Sequence, residues 1–572
     1  MQAKKTLFSP FYCLLLLLPG AYLVFEFFFN QYAAFSADEF WFAHKAYEFR
    51  NLIPYRDFVP YKTVLGYYLL MLPMLFGSGV IQTLVVVKNT IAMINAFLFV
   101  LAGFAMSRLF SKPAVLTSFV FILLSDIVLT FSTNIRVDVF AYWWCFFAMI
   151  FLLNTLQQSK TRYTLLAGIC VGLGFCTSQK VAWYWFAIDL SLAIYWLAFQ
   201  RNKKDFYQLC LFNASGLLIL ALYIAAFASI SSLNVVLSSM FAQAVAIYQT
   251  DWYEPHLFRF WLRTLNLNPL LFLLVPVGWL SLCFTSANDK YQQRFFIVLC
   301  TTIVLFCLIS YKQTFPYYMQ VMIPAFMLFY AAIFDWLIVL FAARKWLQKT
   351  LVLLPIIAAF MLLIPISKDV RSLSGDYQHR HVLAINELLK SNGEYFAGID
   401  LLYNRSQPIP GLDLLAGPTI DYLSHPTEKI KAVMLPSLNL NGSISIATIL
   451  QSLHSAPIKL YVNNYRVNSL PPAIKSFLAQ EFMHYTGSIY LYAPKIDILQ
   501  HTFVLKFTGK YQLIANQVIH LQQFTLKNND VVFLKAGSYQ NSNKNSFRLR
   551  LIAEDQTVLA NNLKDEFLKM TC

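Results

Sequence analysis

Two adjacent carboxylates, Asp38 and Glu39, stand one step beyond the first long apolar run, in the stretch SADEFWFAHKAYEFRNLIPYRDFVPYKTVLGYY. Acids normally face water, so a wet loop is the simplest expectation. The same stretch is crowded with Phe40, Trp41, Phe42, Tyr55, Tyr67 and Tyr68, which is the composition of amphipathic structure lying in a membrane interface. More polar groups recur at the ends of later apolar runs. STNIRVDVF carries Asn134, Arg136 and Asp138, GFCTSQKVAWYW carries Lys180, and YKQTFPYYMQVMIP carries Lys312, Tyr317 and Tyr318. A charge at the bilayer centre costs about 2.5–3.5 kcal/mol on insertion scales, so such groups collect where a cavity or a partner receives them. A ring of cations and acids at one membrane face can hold a lipid-borne phosphate whose negative charge grows as it leaves. A carboxylate within hydrogen-bond reach can take the proton of an attacking hydroxyl.

Each of these residues also has a structural reading. Arg136 and Asp138 could pair with each other, and Lys62 and Lys180 could anchor the chain at the interface. Asp126, Asp189, Asp335 and Lys88 are expected to make internal pairs or helix-end contacts. His44 reads as a surface histidine of the loop, and Arg56 and Asp57 as braces within it.

The elements that position these groups follow from composition. Of 572 residues, 58% are hydrophobic and only 13% charged, against roughly 25% charged in soluble domains. Lipid is therefore the main solvent of residues 1–366. Eleven spans are expected, near 7–29, 81–109, 114–132, 136–156, 163–179, 181–199, 206–229, 268–284, 294–311, 317–341 and 348–366, with 63–77 as a juxtamembrane helix in a first outer loop at 30–80. The first run is expected to remain as an uncleaved signal anchor, being longer than a secretory apolar core. Lys4 and Lys5, Arg108 and Lys112, Lys160 and Arg162, Arg201 with Lys203 and Lys204, Lys290 and Arg294, and Arg344, Lys345 and Lys349 then fall on one side. The positive-inside rule makes that side cytoplasmic and puts the C-terminal domain outside, periplasmic or extracellular. The lysine-, asparagine- and glutamine-rich make-up of that domain favours the periplasm of a bacterial cell inner membrane. The net charge of +16 is not a nucleic-acid footprint, because most of the excess lies at helix ends of the membrane part. The nine cysteines have no metal-type spacing, and Cys572 alone lies in the C-terminal domain, so no disulfide forms within it.

The C-terminal part divides in two. Residues 367–485 alternate strand-like runs such as IKLYVNNY with helical ones such as HVLAINELLK, an α/β pattern, and 486–572 read as a β-rich region of alternating strands.

Taken together, ADEFWFAHKAYEFRNLIPYRDFVPYKTVLGYY, NIRVDVF, GFCTSQK and PYYMQVMIPAF, in that order and on one side, resemble the GT-C integral-membrane glycosyltransferases that use polyprenyl-phosphate sugars. The nearest likeness is to the protein O-mannosyltransferase-like and lipid A aminoarabinose transferase-like families, over about residues 1–366. The resemblance implies a polytopic helical fold and an inverting transfer of sugar to a lipid, glycan or protein acceptor. It implies that Asp38 is the general base or orients the acceptor, with Glu39 as the second acid. It implies that Lys62 contacts the donor phosphate, with Arg136, Asp138, Lys180 and Tyr317 near the donor. Val137 departs from the pattern, since many relatives carry proline or a small residue there. Metal use varies among such enzymes, and Asp38 and Asp138 are the oxygen ligands a divalent cation would have. A transporter or flippase of lipid-linked glycans, a glycan polymerase or ligase, and a membrane scaffold are the competing readings. A transporter would be expected to show internal repeats and midplane binding residues, which this sequence lacks.

Overall fold

The computed structural model describes residues 10–58, 60, 62–158, 160–200, 203–242, 254–284, 289–311, 315–372, 374–390, 393–409, 420, 423, 445–521, 524–552 and 567. The first helix, α1 (Pro10–Tyr32), is followed by two short helices of the outer loop, α2 (Ala37–Glu48) and α3 (Leu65–Met74), and then by α4 (Val80–Met106). The bundle continues with α5 (Lys112–Leu123), α6 (Asp126–Phe131), α7 (Asp138–Gln158), α8 (Thr161–Thr177), α9 (Val181–Tyr195) and α10 (Lys203–Ala228). After α11 (Leu233–Leu237) come α12 (Glu254–Leu267), α13 (Pro269–Cys283), α14 (Asp289–Ile309), α15 (Met322–Leu340) and α16 (Lys345–Ser372).

This is a multi-pass membrane protein. Among the described residues seven helices are long and apolar enough to cross a bilayer, or eight if α12 and α13, bent by 84° at Asn268, form one span. Large apolar side chains that a soluble protein would bury, such as Leu17, Phe28, Phe97 and Phe306, point outward from the bundle. The expected spans all fall on helices, but α5 and α8 have only 12 and 17 residues. The stretch expected as one span at 114–132 is two helices. The chain breaks at Ser125, and Asp126 opens the second helix with its carboxylate receiving the Thr130 hydroxyl at 2.7 Å. A carboxylate at a helix start is favoured by the helix dipole, which explains the break.

α16 runs past the expected domain border at 366 and leads into α17 (Asp376–Leu388). A four-stranded sheet follows, in the order β1 (Glu394–Phe396), β2 (Ile458–Val462), β4 (Ile489–Tyr492), β3 (Phe482–Thr486), with β1 and β2 parallel and the other pairs antiparallel. α18 (Ile446–Ser455), α19 (Tyr465–Asn468) and α20 (Pro472–Glu481) belong to the same layer. The strand in SIYLYAP, assigned above to the β-rich region, is β4 and sits between β2 and β3. The border at 485 therefore cuts a hairpin, and the β-rich part begins after Tyr492. That part holds a second sheet of order β10-β7-β12-β5, built from Val531–Leu534, Gly509–Ile514, Phe547–Leu551 and Lys495–Ile496. Two further strand pairs join Thr502–Leu505 to Gly537–Gln540 and Ile519–Leu521 to Phe524–Leu526. The strand-like run IKAVMLP lies outside the described residues.

One apolar cluster is continuous from the bundle through α2 into α17 and the first sheet, while a second cluster joins other residues of the first sheet, α18 and α20 to the second sheet. The α/β layer is thus packed onto the membrane part. Gln378 fastens it with two bonds to one residue: its amide oxygen accepts the Phe35 N–H at 2.7 Å, and its amide nitrogen donates to the Phe35 carbonyl at 2.8 Å.

Candidate functional site

The site begins with the way α2 starts. Ser36 is the N-cap, its hydroxyl accepting the Glu39 N–H at 3.3 Å, and Glu39 returns a carboxylate oxygen to the Ser36 N–H at 2.8 Å. This reciprocal capping box fixes the first turn. Asp38 and Glu39 are neighbours in sequence but about 100° apart around the helix. Glu39 turns inward, 2% exposed, where it accepts the Ile135 N–H at 3.2 Å and pairs with Lys88 at 3.4 Å. Asp38 turns the other way and stays partly exposed.

Ile135 leads into the segment that bears Arg136 and Asp138, so Glu39 ties the two acid-bearing pieces together. Gly66 of α3 lets that segment lie close. A Cβ at position 66 would sit 2.5 Å from the Val137 Cβ, so the valine that departs from the family pattern is matched by a glycine facing it. Arg136 donates to Asp38 Oδ2 at 2.6 Å and lies 3.4 Å from Asp138 Oδ2. Asp138 opens α7, accepts the Ser178 hydroxyl at 2.5 Å, and pairs with Lys180 at 2.6 Å. Lys180 precedes α9, with its ammonium 3.7 Å from the Tyr318 ring centroid. Tyr317 and Tyr318 sit in a 3₁₀ turn, Pro316–Val321, that leads into α15. The Tyr317 hydroxyl donates to Asp38 Oδ2 at 3.1 Å, and its ring lies 4.0 Å from the Arg136 guanidinium.

All seven predicted residues except Glu39 thus meet in one cluster, and Glu39 supports it from behind. Lys62 stands beside the others with its ammonium 4.5 Å from the Phe42 ring centroid and no ion pair within 4 Å among the described residues. One member escaped the sequence reading. Arg466, in α19 of the C-terminal domain, reaches Asp38 Oδ1 with Nη2 at 3.8 Å. Nothing in NNYRVN distinguishes it from an ordinary polar turn.

Charge order explains the geometry. Arg466, Asp38, Arg136, Asp138 and Lys180 alternate in sign, and Lys62 adds a further cation, giving four cations against two carboxylates. Burial would raise the Asp38 carboxyl, but Arg136, Arg466 and Lys62 outweigh it and hold it down to about 2. Burial pushes the Lys62 ammonium below its ordinary value against the pull of Asp138 and Asp38. It pushes Lys180 down to about 7, Asp138 again opposing. A cluster with excess positive charge, lined by aromatic rings and placed where helices end, suits a phosphate carried by a lipid.

Asp38 and Asp138 are a poor donor set for a divalent cation. Arg136 bridges them and Lys180 saturates the second, so an entering cation would meet like charge on every side. Among the described residues no group of three or more His, Cys, Asp or Glu is arranged to hold a metal.

The remaining expectations sort as follows. Lys88 pairs with Glu39, Asp189 receives the Asn213 amide at 2.7 Å, and Asp335 accepts the Ser111 N–H at 2.8 Å and pairs with Lys290 at 3.0 Å. Arg56 and Asp57 pair with each other at 2.8 Å in an exposed turn. His44 is not a surface residue. It is 2% exposed, because the C-terminal domain covers it, and its ring lies 2.9 Å from the Tyr403 carbonyl and 3.7 Å from Asp400. Lys312 lies outside the described residues.

Comparison with solved structures bears on the fold. ArnT from Cupriavidus metallidurans, bound to undecaprenyl phosphate, superposes with a TM-score of 0.54 at 12% identity, over 82% of this chain and 95% of that one. The chain has the GT-C fold. The oligosaccharyltransferase of Archaeoglobus fulgidus in its apo form aligns at a TM-score of 0.46 and 12% identity, over 92% of this chain and 76% of that one. No protein-family model matches this chain, and no curated protein sequence matches it.

Proposed function

We propose that this protein transfers a hexose or pentose from a polyprenyl-phosphate donor to a hydroxyl or amine of a lipid, glycan or protein acceptor, with inversion. The reaction is placed at the outer face of a bacterial inner membrane, with the N-terminus cytoplasmic and the C-terminal domain periplasmic. The observation that carries the reading is the joined cluster itself: four cations and two carboxylates at one end of a GT-C bundle, with Lys62 not engaged in an ion pair among the described residues.

In this reading Lys62 and Arg136 receive the donor phosphate and Lys180 supports them through Asp138. The acceptor oxygen or nitrogen attacks the anomeric carbon as the bond from that carbon to the phosphate oxygen breaks. The electron pair stays on the phosphate, which leaves with one more negative charge, and the surplus cations stabilise that charge. Asp38 takes the acceptor proton. At about 2 it is a weak base while Arg136 holds it. A phosphate that draws Arg136 and Lys62 away removes the charges that depress it, so donor binding raises its basicity. One displacement inverts the anomeric centre, because a retaining route needs a covalent nucleophile that the cluster does not require.

The test compares purified wild type and Asp38→Asn with a panel of radiolabelled polyprenyl-phosphate sugars and membrane extract. Label passing from lipid to acceptor with wild type, and about 10²–10⁴-fold more slowly with the variant, supports the reading. Equal transfer by both removes Asp38 from the chemistry.

A further inference from the structure

Arg466 brings a charge to the cluster from outside the bundle. The turn that carries it is built rather than loose. Asn464 caps α19, its side-chain oxygen accepting the Arg466 N–H at 2.9 Å and the Val467 N–H at 3.4 Å. The Asn464 amide nitrogen donates to the carbonyls of Ala397 at 2.9 Å and Val462 at 3.1 Å, which fixes α19 to the ends of β1 and β2. The Arg466 Nε donates to the Tyr465 hydroxyl at 3.0 Å, and the side chain is 10% exposed.

The two oxygens of Asp38 are divided between the two parts of the molecule. Oδ2 belongs to the membrane part, held by Arg136 and Tyr317, and Oδ1 faces Arg466. The domain that supplies Arg466 is also locked to the residue before the α2 N-cap by the Phe35–Gln378 pair and to α4 by the Thr83 and Tyr403 hydroxyls, 3.1 Å apart.

We propose that Arg466 is a positioning residue of the transfer reaction, supplied by the C-terminal domain, which holds Asp38 so that Oδ1 meets the acceptor. This rests on the glycosyl-transfer reading. It gives the C-terminal domain a role in the chemistry: the reactive carboxylate is aligned when that domain is docked. An arginine at this place keeps Asp38 ionised through the oxygen that Arg136 does not hold.

The experiment uses the full chain in lipid nanodiscs and four proteins: wild type, Arg466→Ala, Arg466→Lys and, as a control for the loss of one positive charge, Arg56→Ala. In the transfer assay Arg466→Ala is expected to lower kcat by about tenfold or more while leaving the donor KM within about twofold, and to move the acid limb of the pH profile upward by about one unit. Arg466→Lys is expected to restore most of both, and Arg56→Ala to behave as wild type. A wild-type kcat and acid limb in Arg466→Ala overturns the proposal. So does a loss that lysine does not recover while the acid limb stays in place, which is the signature of a structural contact alone. A second measurement does not need turnover. The infrared carboxylate band of Asp38, isolated by difference against Asp38→Asn, is titrated in wild type and Arg466→Ala. An upward shift of about one unit supports the proposal, and no shift overturns it. If wild type moves no label from any donor, the transfer reading fails, and the infrared titration alone decides whether Arg466 governs Asp38.

Discussion

The helix α2 carries a charged cluster at each end, and the two are built on opposite plans. At its start, Asp38 joins a group in which cations outnumber acids and Lys62 is left without an ion pair among the described residues. At its end, His44 lies 3.4 Å from Glu48 and 3.7 Å from Asp400, and Lys45 pairs with Glu48 at 3.0 Å. There the charges satisfy one another, and the His44 ring also meets the Tyr403 carbonyl and, at 3.4 Å, the Ser406 hydroxyl. The first cluster has capacity for one more anion and the second is closed. An open cluster is suited to a ligand and a closed one to holding two domains together.

The sharpest way to break the comparison is at Arg136. Arg136→Ala removes the bridge between two carboxylates, one of them 1% exposed, and is expected to abolish transfer and to destabilise the fold by about 3–5 kcal/mol, read as a fall in unfolding temperature. Retained activity with an unchanged unfolding temperature would show that the bridge is not central.

Lys62→Ala separates ligand from scaffold more cleanly. Loss of a cation that holds no ion pair among the described residues should weaken binding of undecaprenyl phosphate by about tenfold or more while changing stability by less than about 1 kcal/mol. Wild-type affinity in the variant would move the phosphate elsewhere.

A third prediction concerns pH at the open cluster. Because Lys180 is held down to about 7, it is charged below that value and neutral above it. Affinity for undecaprenyl phosphate should therefore fall as pH rises through about 7, and Lys180→Arg should flatten that fall. A profile equally steep in both proteins counts against Lys180 as the titrating group.

The smallest effect belongs to the closed cluster. Burial would lower the His44 imidazole, but Asp400 and Glu48 outweigh it and raise it above its ordinary value, with Lys45 opposing. The stability this contributes is present in full below the unfolded value of about 6.5 and is lost as pH rises through the raised folded value. The unfolding temperature of wild type relative to His44→Gln should accordingly decline toward alkaline pH. A difference that does not change with pH would mean His44 stays neutral.

Much of the open cluster was legible because its members share a local signal. Asp38, Asp138, Lys180 and Tyr317 each stand at the start of a helix or 3₁₀ turn at the same end of the bundle, and hydropathy locates such starts without any tertiary knowledge. Glu39 was legible as an acid but not as a brace, because the turn of the helix decides which of two adjacent residues faces the site. Arg466 and the burial of His44 depend on where a distant domain lands, and no local pattern encodes that. The break at Ser125 was hidden because a run of apolar residues reads as one span until a capping residue is recognised within it.

Glu39 has one more implication. A single side chain receives the N–H of Ser36 and the N–H of Ile135, so it works as a spacer gauge between two parts of the chain that are far apart in sequence. The tolerance of the site is then set by the reach of one glutamate. A substitution to aspartate, shorter by one methylene, alters no charge, yet it would pull the two acid-bearing pieces out of register.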